Sequence, residues 1–271
     1  MMSATQGEKG DRFRALHEGK GAFVIANAWD AGSARLLAAV GFSALATSSG
    51  AAAAVLGRRD GELTRDEALA AARAIVTASA LPVSADLENG FGAAPSVVAE
   101  TIRLAGAAGL VGGSIEDSTG DPERPAFDFD FAVERVASAV KAARSLPFAF
   151  TLTARAENFL RGNPDLGDTI RRLQAFAEVG ADVLFAPGLP DLAAVRAVCE
   201  AVSKPVNFMV GIRGRSFTVA QLQAAGVRRI SLATSLHRAA MRGLIEAARE
   251  VKERGTFGYL ERALTLENQG W

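Results

Sequence analysis

The chain has 271 residues, 49% of them hydrophobic and 22% charged, with 30 Lys+Arg balancing 30 Asp+Glu. Zero formal net charge without a dense run of one sign leaves no basic footprint for nucleic acid, and no stretch of eighteen residues free of polar breaks is available to cross a membrane. The single Cys199 excludes an intrachain disulfide and a multi-thiolate metal site; together with a polar start (MMSATQGEKGDR) lacking a signal-type apolar core, it points to a cytoplasmic protein.

From Gly21 to Thr234, short apolar or β-branched runs alternate with longer stretches whose apolar residues recur every three or four positions, with no linker between them. Strands are expected at 22–27, 44–48, 82–86, 112–116, 148–154, 182–186, 205–209 and 229–233. The helix after each is expected, in turn, at 32–40, 65–79, 96–108, 129–145, 167–179, 191–202, 219–225 and 235–254. Gly41, Gly109, Gly180 and Gly226 stand where helices should end in a left-handed turn. Thr64 and Glu67 are spaced as a capping box. Eight βα units without a dinucleotide fingerprint predict a single-domain (β/α)8 TIM-type barrel over about 21–255, with a doubly wound sheet as the weaker alternative. A helical extension is expected over 256–271, outside the barrel.

In such a barrel the active site forms at the C-terminal ends of the strands. Asn27 and Asp30 follow the first strand, Thr47, Ser48, Ser49 and Gly50 the second, Asp86, Glu88 and Asn89 the third, and Glu116 and Asp117 the fourth. Arg155, Glu157 and Asn158 follow the fifth, Asn207 lies on the seventh, and Thr234 and Ser235 end the eighth. Asp86, Glu88 and Glu116 therefore approach one another from adjacent strands. Either a divalent cation relieves their repulsion, an all-oxygen set suiting Mg²⁺ or Mn²⁺ better than Zn²⁺, or Arg155 and lysines neutralise them. Arg155 either holds a substrate carboxylate with its planar fork or pairs with Glu116 or Glu157. The turn at 47–51 offers hydroxyls and backbone N–H groups to an anion.

The segments NAWDAGSARLLAAVGFSALATSSGAAAAVLGRRDG, LPVSADLENGFG, GGSIEDSTG, TLTARAEN and GADVLFAPG resemble the successive motifs of the isocitrate lyase/phosphoenolpyruvate mutase superfamily, in order, from about Phe13 to Met241. The resemblance implies that Ser48, Ser49 and Gly50 bind the 2-oxo-acid end of a substrate, and that Asp60 is the acid ending the L-G-x-x-D segment. It further implies that Asp86, Glu88 and Glu116 form the shell of a Mg²⁺ ion (Mn²⁺ as an alternative), that Arg155 is the A-R-x-[DE] arginine, and that catalysis runs through a metal-stabilised enolate of a pyruvate-like unit. Asn207 is a further candidate for substrate binding. The family's tetramers, with the last barrel helix exchanged between subunits, imply a homo-oligomer.

The chain departs from the lyases at their K-[KR]-C-G-H loop, reading Ser118-Thr119-Gly120-Asp121-Pro122-Glu123-Arg124-Pro125 instead. That loop carries no Cys or His, and closure that brings Glu123 or Arg124 into the site stays open. It also lacks the K-T-N segment of the phosphonopyruvate enzymes, whose histidine after strand six is replaced by Ala186-Pro187. Cys199 falls in mid-helix as a packing thiol, while His17, in an N-terminal helix, and His237 take surface or structural roles by default. Three readings follow. The first is a Mg²⁺-dependent lyase or decarboxylase of a small 2-oxo or 2-hydroxy carboxylate. The second is a C–P bond mutase or hydrolase using Arg58, Arg59, Arg124 and Arg161, and the third is a non-catalytic 2-oxo-acid binder.

Overall fold

A computed structural model describes residues 4–264. Eight parallel strands close into a barrel in sequence order: β1 (Phe23–Asn27), β2 (Leu45–Ala46), β3 (Val83–Asp86), β4 (Gly112–Glu116), β5 (Thr151–Arg155), β6 (Val183–Phe185), β7 (Val206–Met209) and β8 (Arg229–Ser231). The seam is the pairing of β1 with β8, Phe23 opposite Arg229. The helices are α1 (Gln6–Glu18), α2 (Ala31–Val40), α3 (Ser49–Val55), α4 (Arg65–Ala78), α5 (Pro95–Ala107), α6 (Phe129–Arg144), α7 (Leu166–Glu178), α8 (Leu192–Ala201), α9 (Val219–Ala224) and α10 (Ser235–Arg254). This is the (β/α)8 architecture expected from the alternation, not the doubly wound sheet.

The predicted boundaries hold to within a few residues, and the larger differences have physical reasons. The strand expected from 148 begins at Thr151, because its partner β4 begins at Gly112, directly opposite; residues before it lie past the barrel edge with no ladder to join. The expected second strand shortens at its C-terminal end because Ser48 turns out of the sheet to cap α3, its hydroxyl accepting from the Ala51 N–H. Gly41, Gly109, Gly180 and Gly226 all take positive φ, between 91° and 102°. Thr64 and Glu67 cap each other reciprocally, as their spacing predicts.

Two apolar clusters divide the layer between sheet and helices, one around Leu45, Ile75, Ile102 and Leu152, the other around Leu173, Phe176, Val198 and Phe208. The N-terminal helix α1 closes the barrel floor. Its Phe13 is fully buried against Ile25, Ala44 and Val111. Gly112 permits this, since a Cβ there would stand 2.8 Å from the Phe13 ring. The last barrel helix behaves differently from the rest. Apart from Leu236, which packs on the first cluster, α10 contributes nothing to the core; none of its residues is buried, and Met241, Leu244, Ile245 and Val251 are exposed. A short 3-10 helix follows at Gly258–Arg262, and the helix expected over 256–271 otherwise lies largely outside the described residues. Among the described residues no helix is long and apolar enough to cross a membrane.

Candidate active site

The C-terminal ends of the strands surround a cavity of about 1340 Å³. Ser48, Ser49, Asp60, Asp86, Glu88, Glu116, Arg155 and Asn207 all line it. Gly50 stands just behind, and its missing Cβ is what admits Asp60: a methyl group there would lie 3.1 Å from the Asp60 carboxyl carbon. Residues scattered over 160 positions of sequence are thus brought to one mouth, because each follows the same end of its strand.

Arg155 organises the centre. Its Nε donates to Glu157 (2.8 Å), while its Nη1 and Nη2 reach Asp86 (3.0 Å) and Glu116 (3.1 Å). The guanidinium, backed by the Phe185 ring, spans from β5 across to β3. Burial works against its charge, but Glu157, Glu116 and Asp86 together hold its pKa well above the usual arginine value. The ion pair left open for Arg155 is formed, and it extends to Asp86. Arg161 adds a second cation on Glu116 at 3.2 Å. Even so, burial, more than neighbouring acids, raises the pKa values of Glu116 and Glu157 above the ordinary carboxylate range.

The turn after β2 is already committed to an anion, and that anion is Asp86. The Ser49 hydroxyl donates to Asp86 Oδ2 (3.0 Å), and the Thr47 hydroxyl accepts from the Asp86 N–H (2.9 Å). Asp86 Oδ1 also accepts from the Glu88 N–H at 3.2 Å. The carboxylate is fixed on every side before any ligand arrives.

Glu88 is the exception. Its backbone is left-handed, with φ of 49°, and its Oε1 is buried with no hydrogen-bond partner. Burial, then Asp86, Asp60 and Glu116, push its pKa up to about 8, with Arg155 pulling the other way. An orphaned carboxylate oxygen beside a fixed one is a donor set that a hard divalent cation fits. The three acids do not converge as a finished cage: among the described residues no group of three Asp, Glu, His or Cys side chains is placed to hold an ion. Arg155 instead bridges Asp86 and Glu116.

Asn207 donates to the Ser231 hydroxyl (3.0 Å) and accepts from Arg229 (2.8 Å) at the cavity floor. The loop at 118–127 is folded on itself, bridged between Ser118 and Ala126; Thr119 and Gly120 line the cavity, whereas Glu123 and Arg124 are exposed and do not. His237 stacks edge-on to Trp29 and is not a lining residue. Arg58 pairs with Glu67 and Arg124 lies near Asp121, so of the four cations available for a phosphonate only Arg161 lines the cavity.

Of the three buried arginines that the sequence does not single out, Arg135, Arg172 and Arg229, two bear on the cavity and its β3 loop. Arg229 crosses the barrel floor from β8 to the Thr153 hydroxyl on β5 (2.9 Å), and Arg135 lies under the β3 loop. The signal was present in both cases: Arg229 alternates with Ser231 on the inward face of its strand, and Arg135 falls on the helix face of Ala132 and Ala139.

The phosphoenolpyruvate phosphomutase family model matches residues 13–252. The chain is 30% identical to the 2-methylisocitrate lyase of Escherichia coli K12, over 91% of this chain and 86% of that one. It is 32% identical to the oxaloacetate decarboxylase of Bradyrhizobium diazoefficiens, over 72% and 69%. A crystal structure of a candidate lyase/mutase from Burkholderia cenocepacia J2315 superposes with a TM-score of 0.95 at 51% identity, covering 97% of this chain and 95% of that chain.

Proposed function

The chain belongs to the isocitrate lyase/phosphoenolpyruvate mutase superfamily, and from that premise we propose that it breaks a C–C bond of a small 2-oxo or 2-hydroxy dicarboxylate, with loss of CO2 from a 2-oxo acid as the form that suits this site best. The observation that carries the choice is the lining itself: among the described residues, neither Cys nor His faces the cavity. Cleaving a 2-hydroxy acid needs a base for the hydroxyl and an acid for the departing carbanion, and the central carboxyls are committed elsewhere in this reading, Asp86, Glu116 and Glu157 to Arg155 and Glu88 to the cation. Decarboxylation beside a 2-oxo group needs neither base nor acid. The C3–C4 bond breaks, its electron pair moves onto the C2 oxygen as an enolate, CO2 departs, and C3 then takes a proton from water.

A divalent cation, when bound, would stabilise the negative charge that develops on the C2 oxygen. Asp86 and Glu88 are the residues to hold it, with Glu116 behind them, and the Ser49 and Thr47 hydroxyls keep Asp86 in place. Arg155 uses one donor each on Asp86, Glu116 and Glu157, and its remaining N–H groups serve the substrate carboxylate. Asn207, its oxygen occupied by Arg229, faces ligand as a donor through its amide nitrogen. Asp60 reaches the same space over Gly50 and orients the substrate's far end. The exposed apolar residues of α10 support a homo-oligomer in which this helix packs on another copy.

The test is product analysis with Mg²⁺ and a panel of oxaloacetate, 2-methylisocitrate and phosphonopyruvate. Pyruvate and CO2 from oxaloacetate support the proposal. Turnover of phosphonopyruvate in preference to it, or of none of the three, would overturn it.

A further inference from the structure

The loop after β3 is the most strained backbone of the cavity. Glu88 and Phe91 take φ of 49° and 60°, in the left-handed region that side chains with a Cβ avoid, and Gly90 between them has φ of 83°. Such a run persists only where surrounding contacts over-determine it. Thr101 contributes one, its hydroxyl donating to the Gly90 carbonyl at 2.8 Å. The larger contribution comes from α6, an element without a cavity-lining residue of its own.

Arg135 lies on the inner face of α6 and is 1% exposed. Its Nη1 donates to the carbonyls of Gly92 (2.7 Å) and Ala93, and its Nη2 donates to the carbonyl of Asn89. The ring of Phe127 covers the guanidinium at 4.1 Å. Among the described residues no carboxylate forms an ion pair with it, and its Nε is buried without a partner. A buried cation without a direct ion pair is costly, even with Asp117 and Glu116 acting on it from further away, and an apolar side chain would fill the same volume at lower cost. The carbonyls explain its presence. Three of them, from residues on both sides of the strained turn, converge on one point, and only a planar fork of donors can satisfy all three together.

We propose that Arg135 is a positioning residue. By gathering the carbonyls of Asn89, Gly92 and Ala93 it holds the loop in its left-handed path and so presents the unpartnered Glu88 carboxylate to a divalent cation beside Asp86. The proposal rests on the reading of Asp86 and Glu88 as metal-holding residues and adds to it a residue that never touches the ion.

Three variants test this: Arg135→Met, Arg135→Lys, and Val198→Ala in α8 as a control for lost stability far from the site. Two readouts are independent of turnover, namely the Mn²⁺ dissociation constant by electron paramagnetic resonance and amide hydrogen exchange over 87–93. Arg135→Met should weaken Mn²⁺ binding by about tenfold or more and speed exchange in that segment. Arg135→Lys, able to serve one carbonyl as a point charge, should fall between it and the wild type. Val198→Ala should melt earlier while keeping its Mn²⁺ affinity within about twofold of the wild type. If Arg135→Met does not fold, Arg135→Lys carries the same comparison. The proposal is overturned if the Arg135 variants melt earlier as Val198→Ala does yet retain wild-type Mn²⁺ affinity and loop exchange. Failure of the wild type itself to bind Mn²⁺ would instead remove the metal reading, and the proposal with it.

Discussion

Replacing Arg155 with Met removes the one cation that three buried or half-buried carboxylates share. Its contacts are 2.8 Å to Glu157, 3.0 Å to Asp86 and 3.1 Å to Glu116, and the acid side chains are 1%, 19% and 8% exposed, respectively. At an effective dielectric of about 20, unit charges about 3 Å apart attract by roughly 5 kcal/mol, so three such contacts exceed what a folded domain can forfeit. The loss is capped because stranded carboxyls take up protons instead of remaining charged. The expected cost is that of orphaning a buried pair, about 3–5 kcal/mol, or a fall in melting temperature of about 6–10 °C at about 2 °C per kcal/mol. The cost should also depend on pH. In the variant, Glu116 and Glu157 have folded-state pKa values raised further above their unfolded values. The native state therefore binds more protons than the unfolded chain once pH exceeds the unfolded value, and stability declines as pH rises through the raised values. Urea denaturation of wild type and variant between pH 5 and pH 8 should show the deficit growing with pH, and Glu157→Gln added to the variant should recover part of it. A deficit below about 1 kcal/mol, as for an exposed ion pair, and constant with pH would refute this account of the centre.

The opposite pH trend is expected at the barrel floor. Nδ1 of His17 lies 2.9 Å from the Phe13 carbonyl, which only accepts, so Nδ1 carries the proton and Nε2 faces Arg229 at 3.4 Å. Burial and then Arg229 lower its pKa to about 3. The unfolded chain takes up a proton near the usual value and the folded one does not, so this contribution is complete above about pH 6.5 and is lost as pH falls towards the folded value. Between pH 7 and pH 5 the wild type should lose about 2 kcal/mol more than His17→Gln in urea denaturation, and an equal loss would contradict the assignment. At the cavity, Gly50→Ala places a methyl group 3.1 Å from the Asp60 carboxyl carbon and 3.3 Å from the Thr234 methyl. Its kcat/KM should drop by about tenfold while the melting temperature barely changes, and unchanged kinetics would remove Asp60 from the proposed mechanism.

The barrel was legible because its signal is local and repeated: each strand is a short apolar run, and several helices end on a glycine that the following turn requires. Gathering the site was legible for the same reason, since a barrel brings all its strand ends to one mouth. What escaped depends on side-chain direction across the barrel. Strand pairing sets Glu116 opposite Arg155, and neutralisation of the acids by Arg155 was one of two alternatives the residues offered, but spacing alone could not show that the guanidinium reaches Asp86 two strands away while Glu88 is left without a partner. The short helix α3 escaped because its alanine-rich stretch, following the serines of the turn, has no apolar period to mark it. The α10 pattern reads as one more barrel helix, and its amphipathic face is real; which surface covers that face is a matter of packing between elements that periodicity does not encode. Periodicity places Arg135 on the buried face of its helix with Ala132 and Ala139, but nothing local shows the loop carbonyls it gathers there.

The central claim is that Asp86 and Glu88 form a metal-dependent pocket for a 2-oxo acid. A ligand that binds only the folded state raises the melting temperature by mass action, so thermal denaturation reports the pocket without presupposing the reaction. The decisive measurement compares wild type and Asp86→Ala, with and without Mg²⁺, across pyruvate, oxaloacetate, 2-oxoglutarate and phosphonopyruvate. The account predicts stabilisation of the wild type by a 2-oxo acid only when Mg²⁺ is present, and loss of that effect in Asp86→Ala. Stabilisation that is indifferent to Mg²⁺, or that survives in Asp86→Ala, would contradict it.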